Sequence, residues 1–277
     1  MKQRFNKNHQ RQTLTAICVG ILLLVCLGLL IKNAARQTET KEAMVPKTVA
    51  TATAKPKSTP QPTPKPEPTP KPEESIYSYL QGPKSWKQRL KWSGEWGTSF
   101  YDGGSFGGFG CGLCCIANVY SSLTKYQCTP VDAYSYAKKK TGYGGGGAID
   151  WGYMRRTLTS AGFTCRVRRK PSSYAAFQEV IAKNKCAIVL VSSYFSDCYW
   201  KDTPGHYVTI FLYDRKTDKV FLADSGDPNH NRHWVSLKKI YKSLKTSSPW
   251  HYLTVKEYRE ENDAWKHKSA KGNWVSK

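Results

Sequence analysis

The chain has 277 residues, too long for one small domain and too short for two large ones. It carries 43 Lys and Arg against 20 Asp and Glu, a formal net charge of +23, which points to an anionic partner or surface. Nucleic acid is excluded as that partner, because the sequence holds no zinc-knuckle spacing and no RNP-type aromatic motif.

Residues 1–13 are basic and polar and read as a cytoplasmic segment. Residues 14–31 then run for 18 residues without a charge. As a helix they span roughly 27 Å, close to a bilayer core, and predict a transmembrane anchor. Lys2, Arg4, Lys7 and Arg11 precede this stretch, so the positive-inside rule puts the N-terminus in the cytoplasm and the C-terminal domain outside the cell. A cleaved signal peptide is the competing reading, but Ala34-Ala35 after Lys32-Asn33 makes a poor cleavage site. Residues 32–74 form a Pro/Thr/Lys-rich linker. Within it, residues 46–72 carry Pro at nearly every second or third position and predict an extended stalk of at most roughly 80 Å.

From Ser75 the composition turns globular, and about 200 residues can bury a substantial core. The first 74 residues hold 12 Lys and Arg and 5 Asp and Glu, so the remainder is itself basic at +16. Outside a membrane the expected counter-charge is an anionic cell envelope. Seven of the nine cysteines lie in this part, an odd number that fits one reactive thiol with up to three disulfides, or seven reduced thiols.

Ile76 to Trp92 predicts a short helix or irregular lead-in, and Trp96 to Gly110 a glycine-rich loop. Cys115, Ile116, Val119, Tyr120 and Leu123 recur at helical spacing and predict a helix over 111–123. Thr129-Pro130 starts a second helix to about Lys140, followed by the loop Gly142–Gly147. A third helix is expected over Asp150–Ala161, a strand over Phe163–Arg168, a helix from the Ser172-Ser173 cap to Asn184, and a buried strand over Ala187–Ser192. His206–Tyr213 and Lys219–Asp224 predict a hairpin, Val235–Leu244 a helix, and Trp250–Val255 a closing strand, with 256–277 a polar tail. Helices first and strands later predict an α+β domain over 75–255 with an antiparallel sheet.

The glycine run Gly103, Gly104, Gly107, Gly108 and Gly110 delivers Cys111 to a helix start. The free N–H groups and partial positive charge there favour a thiolate. The competing reading makes Cys111, Cys114 and Cys115 small core residues. A nucleophilic thiol needs a base. His9 and His267 fall in the terminal segments, His230 and His233 in a polar stretch, and His251 at the start of the last strand. His206 instead follows Pro204-Gly205 and opens a strand, which places its ring at a sheet rim. The hairpin brings it opposite residues 224–227, so Asp224 or Asp227 can orient the imidazole.

The order Gly-Cys-Gly before a helix, Gly-His before a strand and Asp after the next strand resembles the papain-like cysteine peptidases of the C39-like family. The resemblance runs from about Trp96 to Asp227 and rests on Tyr101-Asp-Gly-Gly104-Ser105 with Gly110-Cys111-Gly112, Thr129-Pro130-Val-Asp132, Gly147-Ala-Ile-Asp150-Trp151, Gly205-His206-Tyr-Val and Ala223-Asp224-Ser225. It implies a papain-like peptidase fold with Cys111 as nucleophile, His206 as general base and acid, and Asp224 as orienting group, with Asp227 in reserve. Leu113 and Cys114 depart from the family's usual residues after the nucleophile, and its upstream oxyanion Gln is matched only by type, at Gln88. The implied function is a membrane-anchored extracellular peptidase or amidase acting on a peptide or peptidoglycan-peptide substrate, with no metal or organic cofactor. An inactive peptidase-like binding module is the alternative reading. Cys111-Gly-Leu-Cys114 adds a third, a C-x-x-C thiol–disulfide oxidoreductase.

Overall fold

The computed structural model describes residues 71–82, 99–193 and 198–267, all within the second of the chain's two units, Pro66–Lys277. After a 3-10 turn at Pro72–Ser75, the segment Ile76–Leu80 runs through the interior without regular structure. Side chains of the central helix hold it there. Tyr79 N donates to Asn118 Oδ1 at 2.9 Å, and Tyr77 N to Ser122 Oγ at 2.9 Å.

Strands β1 (Phe100–Tyr101) and β2 (Gly104–Ser105) form a hairpin inside the expected loop. Its turn is Asp102-Gly103, with φ of 48° and 80°, the positive pair a two-residue hairpin turn requires. One helical turn, α1 (Phe106–Phe109), leads through Gly110 into α2 (Cys111–Leu123). Every residue of α2 from Cys111 to Ser121 is buried, so it is a central helix rather than a surface one.

Local rules account for the next helices. α3 (Pro130–Thr141) starts with a reciprocal capping box between Thr129 and Asp132, and stops at Gly142 in the left-handed region, φ 79°. α4 (Trp151–Ser160) is capped by Asp150 and α5 (Tyr174–Ala182) by Ser173.

The strands β3 (Ala161–Arg168), β4 (Cys186–Val191), β5 (His206–Asp214), β6 (Lys219–Ala223), β7 (His233–Ser236) and β8 (Tyr252–Asp263) form one antiparallel sheet in the order β3-β8-β4-β5-β6-β7. Both faces are covered. Ile188, Tyr207, Phe211 and Phe221 pack into the cluster with α2, α3 and α4, while Val189, Val208, Ile210 and Leu222 face α5 and α6 (Leu237–Ser243). This alternation of faces along β4, β5 and β6 explains their near-continuous apolar runs.

The mixed α+β class is observed, with several corrections. The helix expected over 235–244 begins only at Leu237, because Trp234 and Val235 pair with Phe221 and Val220 on β6 and extend the sheet. The closing strand does not end at 255. β8 continues to Asp263 along β3, with Tyr258 opposite Phe163, so residues 256–263 belong to the sheet rather than to a tail. The anchor is the largest correction. Among the described residues no helix is long and apolar enough to cross a membrane, and the stretch expected to do so, residues 14–31, lies outside the described residues with most of the linker. Over the described residues the fold class is therefore α+β, with no membrane span among them. Of the disulfides weighed above, none forms in the described part, where all seven cysteines are free thiols.

Asp263 ties this end of β8 to the core. Its Oδ2 accepts from Tyr120 at 3.0 Å and Tyr258 at 2.9 Å, and its Oδ1 from the backbone N–H of Trp265 at 2.7 Å. Asp263→Ala leaves these donors unmatched in a buried setting and is expected to lower the unfolding free energy by about 1–3 kcal/mol. Urea denaturation checks this. A midpoint equal to that of the parent chain would contradict an interior role for residues 256–263.

Candidate active site

Two glycines explain why Cys111 stands where it does. A Cβ on Gly110 would lie 2.3 Å from Cε1 of Phe106, so only glycine lets α1 run directly into α2. A Cβ on Gly112 would lie 2.4 Å from Cγ2 of Ile149 and 3.3 Å from Cδ2 of Tyr207. Glycine there lets the first turn of α2 settle against β5, next to the strand's first residue, His206. Cys111 is the first residue of α2, where helix N–H groups lack intrahelical partners.

The β5–β6 register supplies the other limb. Thr209 pairs with Ala223, so the chain leaving β6 passes opposite the start of β5. Asp224 is the first residue after β6 and is fully buried. Its Oδ1 lies 2.7 Å from Nε2 of His206 and accepts from Gly226 N at 2.8 Å. Its Oδ2 accepts from Trp200 Nε1 at 2.7 Å, and its own N–H donates to Asn231 Oδ1 at 3.0 Å. With Nε2 on Asp224, Nδ1 is the ring nitrogen left for another partner, and Cys111 stands close enough to help raise the imidazole's pKa. Gly226 stands against the same ring, where a Cβ would come within 2.8 Å of Nε2.

Burial alone would lower the His206 pKa. The charge and hydrogen bond of Asp224, with a smaller contribution from Cys111, overcome it and raise the imidazole to about 10. Burial likewise opposes ionisation of Asp224, but the charge of His206 and the hydrogen bonds from His206 and Trp200, with His230 close by, hold it well below the usual carboxylate range. Such an imidazolium beside a thiol stabilises a thiolate.

The structure therefore brings Cys111, His206 and Asp224 together. Asp227 stands beside this group on the turn, its backbone N–H donating to Asp224 Oδ1 at 3.3 Å. The Asp227 carboxylate accepts from Asn229 N at 3.0 Å and shapes the turn after Asp224. Cys114 and Cys115 are enclosed, and burial pushes both thiols well up. The chain before Cys111 is a hairpin and a helical turn, not the buried strand that a C-x-x-C redox site follows, so the oxidoreductase reading is set aside. Gln88 lies outside the described residues.

Gln81 was missed in the sequence. Its Nε2 donates to Gly107 O at 3.0 Å, four residues before Cys111, and its Oε1 accepts from Ser225 Oγ at 2.7 Å, one residue after Asp224. It thus bridges the chain before the thiol to the chain beyond the carboxylate. No local pattern marks it, because the segment around it is irregular. A cavity of about 510 Å³ opens beside His206, walled by Tyr199, Trp200, Asp202, Gly205, Asp227 and His230. Among the described residues no group of three or more His, Cys, Asp or Glu is placed to hold a metal ion.

Residues 149–251 match the family model of phytochelatin synthase. The span includes His206 and Asp224 but not Cys111. Among solved structures, the chain is similar to the peptidase domain of Streptococcus ComA, a bi-functional ABC transporter involved in a quorum-sensing pathway. Identity is 13 %, the match covers 53 % of this chain and 90 % of that one, and the TM-score is 0.37. No curated protein matches. These are distant similarities, one of sequence over residues 149–251 and one of structure, and neither assigns the chain to a family. The functional expectation is also corrected. Among the described residues no helix is long and apolar enough to cross a membrane, so the membrane-anchored, single-pass peptidase of the cell envelope is not carried forward.

Proposed function

We propose that the chain is a thiol enzyme that cleaves an amide bond by acyl transfer, with Cys111 as nucleophile, His206 as general base and acid, and Asp224 as orienting group. One observation carries the reading: an imidazole held at 2.7 Å by a fully buried carboxylate, near enough to the helix-start thiol of Cys111 for that thiol to raise its pKa. The thiolate of Cys111 attacks the carbonyl carbon of the amide. The Cys111 backbone N–H and the Gln81 amide supply donors for the developing oxyanion. His206 gives its proton to the departing nitrogen, and the acyl group stays on sulfur as a thioester. A nucleophile deprotonated by His206, either water or an amine, then releases it and restores the thiol. The matching family model is named for a synthase, which favours testing both acceptors.

The test is selective alkylation. Iodoacetamide in limiting amount at neutral pH is expected to modify Cys111 about a hundredfold faster than the enclosed Cys114 and Cys115, read by peptide mass spectrometry. Labelling of Cys111 no faster than theirs sinks the proposal.

A further inference from the structure

Asp224 carries a second histidine. Nδ1 of His230 lies 3.6 Å from Asp224 Oδ2, on the side of the carboxylate away from His206. The distance is long for a hydrogen bond but within ion-pair reach. Nδ1 is buried and makes no hydrogen bond among the described residues. The ring is held in place from several sides. It packs tilted against Tyr199 with centroids 4.4 Å apart and meets Trp200 edge-on at 6.2 Å, and its backbone N–H donates to Asp227 O at 3.0 Å. It also forms part of the cavity wall, so solvent protons reach it.

We propose that His230 is a positioning residue that competes with His206 for Asp224, and that its protonation weakens the Cys111–His206 pair in acid. The proposal rests on the thiol-enzyme reading of the site. Neutral His230 leaves the carboxylate to His206. Once protonated, it draws Oδ2 toward itself and places a second cation across the carboxylate from the His206 imidazolium. Both effects disfavour the imidazolium, and its proton returns to the Cys111 thiolate as thiol and neutral imidazole. Other charged or titratable groups face His230 from the elements packed around it. They are Asp227 on its own turn, Tyr199, Lys201 and Asp202 on the 198–205 segment, and Lys239, whose Nζ stands 5.5 Å from the Tyr199 ring centroid. Trp200, which donates to the same Asp224 Oδ2, does not titrate.

The experiment compares the full chain with His230→Phe, which keeps an aromatic ring to pack against Tyr199, and with His230→Gln, which keeps polarity without a titrating group. The rate of Cys111 alkylation by iodoacetamide is followed from pH 4.5 to 8.5. The ratio of the rate at pH 5 to that at pH 8 is expected to rise on the order of tenfold in both variants, with the acid limb moved to lower pH. A purely structural role for the ring would leave the Phe variant with the parent's profile, and an unchanged ratio in either variant overturns the proposal. If the variants fail to fold, imidazole nitrogen-15 signals of the unmodified chain decide. Those of His206 are expected to move with the titration of His230, and His206 signals indifferent to it overturn the proposal too. Failure of the underlying reading looks different: Cys111 would then show no preferential alkylation in the parent chain at any pH.

Discussion

Cys111→Ala is expected to reduce acyl transfer by at least about a thousandfold while leaving the chain folded. Removing the nucleophile leaves only binding and oxyanion donors, whose residual effect is orders of magnitude smaller than that of the intact constellation. The structural cost is small. Cys111 is the first residue of α2, the substitution removes a single sulfur, and Gly110 and Gly112 still set the close approaches on either side. The measurement is release of free amine from a mixed amide library, together with the mass of the intact chain. The parent is expected to accumulate a covalent acyl adduct at residue 111 and the variant none. Undiminished amine release by Cys111→Ala would remove the thiol from the mechanism altogether.

The second large effect belongs to Asp224. Replacing it by Ala leaves the imidazolium, the indole N–H of Trp200 and the Gly226 N–H without their shared acceptor. Breaking a buried pair from one side costs about 3–5 kcal/mol, and reactivity of Cys111 at neutral pH is expected to fall on the order of a hundredfold or more. The pH dependence has a definite sign. His206 is raised to about 10 in the folded chain, so its contribution is fully present below its unfolded value of about 6.5 and is lost as pH rises toward 10. Asp224 is lowered on folding, so its contribution is present above about 4, the unfolded carboxylate value, and is lost as pH falls. The stability difference between parent and Asp224→Ala should therefore be widest between about pH 4 and 6.5 and shrink on both sides. Urea titrations across that range measure it. A difference that keeps growing toward pH 10 would show that the His206–Asp224 interaction is not its source.

Much of the helical layer is legible in the chain itself, because caps and stops act over three or four residues. Thr129, Pro130 and Asp132 are enough to start α3, Asp150 to start α4, and Ser173 to start α5. The pairing of His206 with the segment after β6 is equally local, since a hairpin with a polar turn fixes its own register. The errors fall where a distant partner decides. Trp234 and Val235 are as compatible with a helix as with a strand, and the free edge of β6 chose the strand. Residues 256–263 carry the charges of an exposed tail, yet the strand that became β3, about ninety residues earlier, recruits them. The Asp102-Gly103 turn was the one short-range signal present and overlooked.

The constellation divides along the same line. By itself the sequence determined the three groups to which the proposed chemistry is given: a thiol at a helix start, an imidazole at a strand start and a carboxylate at the end of the next strand. Each follows from local conformational rules. Only the tertiary structure decided how they are served. It selected Asp224 over Asp227, set Gln81 between the two limbs and aimed His230 at the far oxygen of Asp224. Those choices depend on which side chains a buried carboxylate can reach once the sheet and α2 have packed. Distances of that kind are set by long-range packing rather than by neighbours in the chain.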